Sequence, residues 1–364
     1  MSENTAALSN HGELASVAVL IVSYNAKEYV RDCLASIRQT GVDGQRPIIV
    51  VVDNNSTDGT REMAESDFPE IALIHSHENL GYAGGNNLGW EYIQAHFPEI
   101  KYVYLLNQDT IVEQGWLNAA ASYLDDQLQV GCVQSLLCLY PEKDKINTAG
   151  NVSHYLGFGL PTYYGCRNDG QFYEPREIGC ASGAALLVRA DVLRRIGLFE
   201  PEFFMYLEDV ELSWKIRQLG FQIMLVPQSV VYHKYSFKDD FRYYYYLERN
   251  RWWLLLVYYR WRTILLLSPA LLLMEMGQGL FALQKGRLRD KLRSYAYFCS
   301  WKNWANLMRL RRQAVQNRKI ADREFLRLAT GSFDTPQLPG WLIQRVASPI
   351  FATYWAIAKR LLWW

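Results

Sequence analysis

Three acidic residues, Glu208, Asp209 and Glu211, lie in the stretch FFMYLEDVELSW among two Phe, a Tyr, two Leu and a Trp. Carboxylates so close to large apolar side chains either start a helix at the surface or are held for proton transfer. A helix that begins near Leu207 would put Asp209 on the same inward face as Leu212. Partial burial would make Asp209 more basic, which suits a general base. The same helix would turn Glu208 and Glu211 outward, where they would interact with the helix dipole.

Two further acids and a histidine follow or end apolar runs. Asp53 and Asp109 each follow such a run, and His233 ends another. Because ligands of an open α/β sheet bind at the carboxyl ends of its strands, Asp53 and Asp109 can share one site with Asn25. His233 would join this site if it lies beside Asp109. A carboxylate beside an imidazole suits Mn²⁺ or Mg²⁺ that also binds a diphosphate. The alternative interpretation is that both acids cap helices and that His233 is a hydrogen-bonded core residue.

The stretch NLGYAGGNNLG (79–89) is rich in glycine and asparagine. Flexible backbone and free amides at the start of a helix suit the approach of a phosphate or a sugar. The G-x-G-x-x-G spacing of dinucleotide-binding proteins is missing, which disfavours a nucleotide-dependent oxidoreductase. The alternative is an ordinary turn.

Strand and helix patterns alternate in the first part of the chain and predict a doubly wound α/β domain. Apolar runs rich in β-branched residues predict buried strands at 16–25, 47–53, 71–76 and 101–110. Periodicity fades from about 130 to 180, which predicts irregular strands and loops. Further on, a strand and short helix are predicted at 180–199, a helix that ends at Gly220, and a last strand or two at 221–233.

Charge is divided unevenly along the 364 residues. The net charge is +1, but residues 242–364 hold 21 of the 38 Lys and Arg and only 6 of the 37 Asp and Glu. Segment 263–284 carries one charge, Glu275, contains Pro269 and is flanked by basic and aromatic residues. This pattern is typical of helices in the interface of an anionic membrane. A membrane-spanning helix and a soluble subdomain or dimer contact are the alternatives.

The remaining composition indicates a cytoplasmic setting. Six cysteines are scattered without CxxC or zinc-type spacing, and the polar residues 1–15 contain no apolar signal core. We expect residues 1–15 to be disordered, and we expect no nucleic-acid partner.

Six motifs in a fixed order resemble inverting family-2 glycosyltransferases of GT-A fold. Within that family they are similar to the rhamnosyltransferase-like enzymes of bacterial cell-surface polysaccharide synthesis. The motifs are VSYN (22–25), VVDNNSTDGT (51–60), NLGYAGGNN (79–87), LLNQD (105–109), the long run SGAALLVRADVLRRIGLFEPEFFMYLEDVELSWKIRQLG (182–220) and VYH (231–233). The resemblance implies a GT-A catalytic domain at 16–238, with a Rossmann-like, mostly parallel sheet flanked by helices. A C-terminal helical, aromatic and basic membrane-associating region would follow at 239–364.

The resemblance also implies roles for individual residues. Asp209 would be the catalytic base, paired with Glu208, while Asp109 and His233 would bind Mg²⁺ or Mn²⁺. Asn107 replaces the first acid of the family's DXD motif and leaves Asp109 as its only carboxylate. Expected donor contacts are Ser23, Tyr24, Asn25, Asp53, Asn55, Gly81, Gly85, Asn86, Asn107 and Gln108. Expected acceptor contacts are Gly183, Ala184 and Tyr206.

The implied reaction moves a sugar, with rhamnose from dTDP-rhamnose favoured, to a hydroxyl of a polyprenyl-diphosphate-linked glycan. The implied location is the cytoplasmic face of the bacterial inner membrane, as a peripheral or monotopic protein that can form a homodimer. The alternatives are transfer of galactofuranose or N-acetylglucosamine, a nucleotide-sugar-binding scaffold without turnover, and a Rossmann-type oxidoreductase.

Overall fold

A ten-stranded mixed sheet lies at the centre of the computed structural model, which describes residues 16–40, 47–235, 243–333 and 340–364. The strands of the described residues are β1 (Val17–Ser23), β2 (Ile48–Asp53), β3 (Ala72–His75), β4 (Tyr102–Leu106), β5 (Thr110–Val112), β6 (Val130–Leu139), β7 (Ile146–Thr148), β8 (Asn151–Ser153), β9 (Gly159–Pro161), β10 (Arg176–Glu177), β11 (Ala185–Arg189) and β12 (Gln222–His233). Strands β8 and β9 pair with each other in a separate two-stranded sheet. The predictions for residues 1–15 and for a boundary at residue 238 lie outside the described residues.

Helices cover the sheet and form the C-terminal region. They are α1 (Lys27–Gln39), α2 (Thr60–Asp67), α3 (Gly81–His96), α4 (Trp116–Asp126), α5 (Ala190–Ile196), α6 (Glu208–Gln218), α7 (Tyr244–Tyr258), α8 (Trp261–Gln284), α9 (Leu288–Cys299), α10 (Trp301–Asn317), α11 (Asp322–Phe325) and α12 (Ser348–Leu361). A single π-helical turn, Ile343–Ala347, precedes α12. The predicted alternation of strands and helices and the predicted helical C-terminal region are confirmed.

The strand order is β10-β12-β6-β11-β4-β1-β2-β3, with β5 paired to β12 and β7 to β6. Strands β4, β1, β2 and β3 run parallel to one another, and β12 runs parallel to β6. Strand β11 lies antiparallel between β4 and β6. This topology brings the ends of β1, β2 and β4 to the same edge of the sheet as the segment before α6.

Strand β6 is a departure from the sequence prediction. Residues 130–139 form one long strand, and nine of its ten residues are buried. A strand buried on both faces shows no alternation of apolar and polar residues, so its pattern could not be distinguished from irregular structure. Beyond β6 the chain consists of short strands and loops up to β11, as predicted.

The C-terminal helices share a core with the sheet. Trp253 and Leu254 of α7 are buried in the same apolar cluster as Trp214 of α6 and Leu186 of β11. Phe351 of α12 belongs to this cluster as well. The C-terminal region is therefore packed onto the sheet domain.

Four charged side chains join α7, α8 and α9. Glu248 and Arg251 of α7 are both 0% exposed, and Lys291 of α9 is 2% exposed. Arg251 and Lys291 both form ion pairs with Glu248 and with Glu275 of α8; the Lys291–Glu275 distance is 2.7 Å. Burial alone would raise the pKa of Glu275, but the two cations outweigh it and lower the pKa to about 2. Glu275 thus stays charged, and the helices are fixed in one register.

We predict that Arg251→Met destabilises the protein strongly. Glu248 would be left as a buried carboxylate with only Lys291 beside it, a change that typically costs about 3–5 kcal/mol. Urea unfolding followed by circular dichroism measures the loss. Arg61→Met is the matched control, because its ion pair with Glu65 is exposed and contributes little. Equal midpoints for Arg251→Met and wild type would contradict a stabilising role of the cluster.

Candidate functional site

The ends of β1, β2 and β3 are aligned, with Ser23 opposite Asp53 and Asp53 opposite His75. Asp53 is 0% exposed, and one carboxylate oxygen lies 3.0 Å from Nδ1 of His75. The N–H of Ser56 donates to the other oxygen at 3.3 Å. Asp53 is not a helix cap, because α2 begins only at Thr60. It is instead an enclosed acceptor that holds the β2 and β3 loops together.

Three loops at this edge are joined by side-chain hydrogen bonds. The N–H of Tyr24 donates to the Gln108 side chain at 3.0 Å, which links the β1 loop to the β4 loop. The side-chain oxygen of Asn25 accepts from the N–H of Thr57 at 2.8 Å, which links the β1 loop to the β2 loop. Asn25 and Asn55 adopt left-handed conformations, with φ of 46° and 67°. Five of the expected donor residues, Tyr24, Asn25, Asp53, Asn55 and Gln108, therefore come from loops that are joined to one another.

The expected donor residues of the glycine-rich stretch divide into two groups. Gly81 has φ 71° and starts α3, where an added Cβ would lie 2.2 Å from the carbonyl oxygen of Phe204. Gly85 packs inside the domain, since an added Cβ would lie 2.6 Å from Val22. Asn86 is 1% exposed and donates to the carbonyl of Tyr82 at 2.9 Å. Only Gly81 reaches the site-bearing loops, while Gly85 and Asn86 are packing residues.

Asp109 and His233 meet at the edge where β12 pairs with β5. Nε2 of His233 lies 3.2 Å from the Asp109 carboxylate, and Nδ1 lies 3.1 Å from the side-chain oxygen of Asn147. Asp109 does not cap α4, which begins at Trp116. An Asn partner fixes the ring of His233, as is usual for a histidine that binds metal. These donors fit Mn²⁺ or Mg²⁺.

A cavity of about 290 Å³ opens beside Asp109. It is lined by Asn25, Ala26, Tyr29, Gln108, Asp109, Lys234 and Tyr235. No three His, Cys, Asp or Glu side chains cluster as a metal site within the described ranges. A cation at this place would have two protein ligands and would need oxygens from a bound ligand and from water.

Lys234 is a site residue that the sequence analysis missed. Its backbone N–H donates to the carbonyl of Asp109 at 2.9 Å, and its ammonium forms an ion pair with Asp32. The ammonium also lies over the rings of Tyr29 and Tyr140, at 5.4 and 5.5 Å from their centroids. The only signal in the sequence is its position directly after His233. A positive charge beside the cavity suits a phosphorylated ligand.

Asp209 lies at the start of α6 and faces the loop before β11. Its carboxylate accepts from the N–H of Gly183 at 3.1 Å and from that of Val210 at 2.8 Å. The hydroxyl of Tyr82 donates to the carbonyl of Gly183 at 2.7 Å. Asp209 is half-buried, Ala184 beside Gly183 is buried, and Tyr206 is 42% exposed. Of the three expected acceptor residues, Gly183 contacts Asp209 directly, Ala184 follows Gly183 in the chain, and Tyr206 lies in the loop that leads into α6.

Burial controls the ionisation of this group of residues. It raises the pKa of Tyr82 well above its usual range, and the carboxylates of Glu208, Asp209 and Asp109 add to the shift. Burial also raises the pKa of Glu208, and the adjacent Asp209 raises it further. The pKa of Asp209 is raised by burial too, but its backbone N–H donors oppose the shift. Burial and the adjacent Asp209 thus favour the protonated form of Glu208, while the backbone N–H donors favour the ionised form of Asp209.

The prediction that Glu208 and Glu211 turn outward is wrong. They are 8% and 1% exposed, respectively. The hydroxyl of Tyr258 on α7 donates to Glu211, and Lys215 lies 3.0 Å from the same carboxylate. Local periodicity predicts one buried face, but α7, α10 and α11 cover the other face of α6.

Comparisons with known proteins agree with this geometry. Residues 18–197 match the model of "Glycosyl transferase family 2". The match covers just under half of the chain and ends before α6. It therefore includes the loops after β1, β2 and β4 but neither Asp209 nor His233.

Two curated relatives and one solved structure are similar to parts of the chain. N-acetylglucosaminyl-diphospho-decaprenol L-rhamnosyltransferase of Mycobacterium tuberculosis is 28% identical over 234 residues, 59% of this chain and 75% of that protein. Poly-beta-1,6-N-acetyl-D-glucosamine synthase of Staphylococcus epidermidis is 23% identical over 226 residues, 61% of this chain and 50% of that protein. The crystal structure of GalNAc-T7 with UDP, GalNAc and Mn²⁺ aligns with a TM-score of 0.55 and 15% identity, over 68% of this chain and 48% of that one. This likeness confirms the expected GT-A fold class.

We predict that Asp109→Asn and His233→Ala each weaken Mn²⁺ binding in the presence of a nucleoside diphosphate by about tenfold or more, because each removes one of two protein ligands. Isothermal titration calorimetry of the full chain measures the affinity. Asp144→Asn, a change to an acid on the surface at 63% side-chain exposure, is the control. Unchanged affinity in both site variants would exclude the pair as the metal ligands.

Proposed function

We propose, from the match of residues 18–197 to glycosyl transferase family 2, that the chain is a metal-dependent inverting glycosyltransferase. The observation that supports turnover best is the half-buried Asp209, whose carboxylate accepts hydrogen bonds from the backbone N–H groups of Gly183 and Val210. It lies at the same edge of the sheet as Asp109 and His233. A base for an acceptor and a cation site for a donor diphosphate are the two groups that single-step transfer needs.

In the proposed reaction Asp209 takes the proton of the acceptor hydroxyl as that oxygen attacks the anomeric carbon of the donor. The new bond forms on the face opposite the diphosphate, and the bond from the anomeric carbon to the diphosphate oxygen breaks. The electron pair of that bond leaves with the diphosphate. Glu208 contributes by staying protonated. A negative charge on Glu208 would disfavour the ionised form of Asp209, and Asp209 must be ionised to accept a proton.

The chain holds the leaving group at the other end of the site. A divalent cation bound by Asp109 and His233 would neutralise the charge that develops on the diphosphate. Lys234 lies beside the same cavity and adds a fixed positive charge. Gln108 and Asn25 line the cavity and fix the loops around it. Asp53 holds the β2 and β3 loops together at the end of the site where the nucleotide would bind.

The rhamnosyltransferase relative favours dTDP-rhamnose as donor and a polyprenyl-diphosphate-linked glycan as acceptor. The synthase from Staphylococcus epidermidis keeps N-acetylglucosamine as an alternative donor sugar.

A scaffold without turnover is the second candidate, and the Asn107 that replaces a carboxylate in the metal motif favours it. The family match leaves little support for an oxidoreductase.

We predict that Asp209→Asn lowers transfer by about a hundredfold or more, because the amide cannot accept the proton. Metal-dependent donor binding should be preserved, since Asp209 is not a donor contact. Donor hydrolysis and transfer are assayed with a panel of nucleotide sugars, Mn²⁺ or Mg²⁺, and lipid-linked acceptors. Asp191→Asn, at the start of α5, is the control.

The pH dependence provides a second measurement on the same protein. Because burial raises the pKa of Asp209, the rate should rise with pH through a pKa above the ordinary aspartate value of about 3.9. Donor binding without turnover of any sugar, in wild type and Asp209→Asn alike, would support the scaffold.

The proposed site of membrane contact is the outer face of α8. Within the described ranges, α8 is the single helix long and apolar enough to cross a membrane, by length and composition. Leu265, Leu272, Met276, Leu280 and Leu283 are 62–74% exposed, and their spacing places them on one face. Ile350, Ile357 and Leu361 form a similar exposed stripe on α12, which packs beside α8.

The charges of this region favour a helix that lies in the interface of an anionic bilayer. Glu275 stays ionised in its cluster with Arg251 and Lys291, and an ionised cluster is costly within hydrocarbon. Arg262 in the first turn of α8 and Arg289 in the first turn of α9 are exposed. Glu248 and Asp322 are 0% exposed. Basic residues thus dominate the surface around the apolar stripe, which suits the cytoplasmic face of a bacterial inner membrane.

We predict that Leu272→Glu combined with Met276→Glu weakens binding to vesicles with anionic lipid by about tenfold or more, because two apolar side chains are lost from the interface. Vesicle co-sedimentation measures the binding. Leu128→Glu, at a leucine 76% exposed on the sheet domain, is the matched control. Unchanged vesicle binding would exclude this face. If light scattering shows a dimer for wild type and a monomer for the double variant, the outer face of α8 is a contact between two copies of the chain.

A further inference from the structure

Two residues just before α6 hold strained backbone conformations. Tyr206 and Leu207 have φ of 70° and 67°, in the left-handed region that side chains with a Cβ rarely adopt. Two such residues in succession persist only where neighbouring groups hold them in place. The carbonyl of Leu207 accepts from the N–H of Glu211 at 2.8 Å and so begins the hydrogen bonds of α6. The conformation of this pair therefore sets the direction in which Asp209 points.

Asn250 of α7 holds this pair. Its side-chain N–H groups donate to the carbonyls of Met205 at 3.1 Å and Tyr206 at 2.8 Å. Asn250 is 0% exposed, so neither bond competes with water. The two carbonyls belong to the peptide groups that precede Tyr206 and Leu207. An amide placed on both of them restricts rotation about the backbone bonds that carry the strain.

Arg249 completes the contact from the same turn of α7. Its guanidinium donates to the side-chain oxygen of Asn250 at 3.0 and 2.7 Å. It also donates to the carbonyl of Glu202, at the other end of the loop. These bonds fix the amide orientation of Asn250, with its oxygen toward Arg249 and its nitrogen toward the loop. All side-chain hydrogen-bonding groups of Asn250 are thereby used.

The opposite side of the loop contacts the glycine-rich stretch. Phe204 packs against Gly81, and the carbonyl of Phe204 accepts from the N–H of Ala83 at 3.4 Å. The loop thus lies between the start of α3 and the side chain of Asn250. On the side of β11, the N–H of Gly183 binds the Asp209 carboxylate. On the side of the C-terminal helices, Asn250 binds the loop that precedes Asp209.

We propose that Asn250 is a positioning residue for the catalytic base Asp209, an inference that rests on the proposed function. Through it, the C-terminal region takes part in the reaction as well as in packing. Asn250 does not touch the reacting atoms. It acts by holding the Tyr206–Leu207 pair in the conformation that aims Asp209 at the acceptor hydroxyl.

Asn250→Asp tests this with an isosteric change. The carboxylate keeps the contact with Arg249, but it has no N–H to donate to the two carbonyls. We expect kcat for transfer to fall by about tenfold to a hundredfold, as for a displaced catalytic group, with donor KM and metal-dependent donor binding unchanged. Gln228→Glu is the control, because it removes a similar amide bond, from β12 to the carbonyl of Tyr173 at 2.6 Å. If Asn250→Asp does not fold, Asn250→Ser gives the same comparison without a new charge.

A double-mutant cycle with Tyr206→Gly separates positioning from packing. Glycine adopts φ near 70° without strain, so the loop would depend less on Asn250. The loss of kcat caused by Asn250→Asp should therefore be at least about threefold smaller in the Tyr206→Gly background than in wild type. Equal losses in both backgrounds, or a parallel loss of donor affinity, would overturn the proposal.

Asp209→Asn is measured in the same assay. If Asp209→Asn abolishes transfer while Asn250→Asp leaves kcat unchanged, the positioning role fails and the proposed function stands. If Asp209→Asn leaves transfer intact, the assignment of the base fails, and the positioning proposal fails with it.

Discussion

The site depends on the burial of α6 on all sides. One face of this helix packs on the sheet, and α7, α10 and α11 pack on the other, so Glu208, Asp209 and Glu211 lie in or beside a poorly hydrated core. Several carboxylates are costly in such a core unless each one is paired, hydrogen-bonded or neutralised by a proton. Glu211 has Tyr258 and Lys215, Asp209 has backbone N–H groups, and burial favours the protonated form of Glu208. Three similar side chains within four positions thus have three different environments.

The sequence predicts the sheet and the order of the site-bearing loops well, because β1 to β4 are apolar runs that end in polar residues. It predicts that Asp109 and His233 meet only through the family resemblance, since 124 positions separate them and the β5–β12 pairing joins them. The error about Glu208 and Glu211 has the same origin. Periodicity within α6 contains no information on helices that follow it in the chain.

Lys234 and Asn250 could not be found from local patterns either. Lys234 follows a strand end, where the side chain could point to either face. Asn250 lies among Arg, Trp and Tyr residues whose composition indicates a membrane surface. The same residues of α7 in fact face three ways, toward the loop before α6, toward the sheet core and toward the ion cluster with α8. Composition predicts one role for a whole region, whereas the residues of α7 have three different roles.

The shared core has a consequence for the modularity of the protein. A tail that only attaches a domain to a surface can be exchanged for another tail, because few contacts cross the junction. Here Trp253 and Phe351 lie in one apolar cluster with Trp214, so α6 has no complete surface of its own. Any related chain that keeps α6 has to keep complementary side chains in α7 and α12. The two regions are therefore parts of one packed core, and neither can be exchanged without repacking the other.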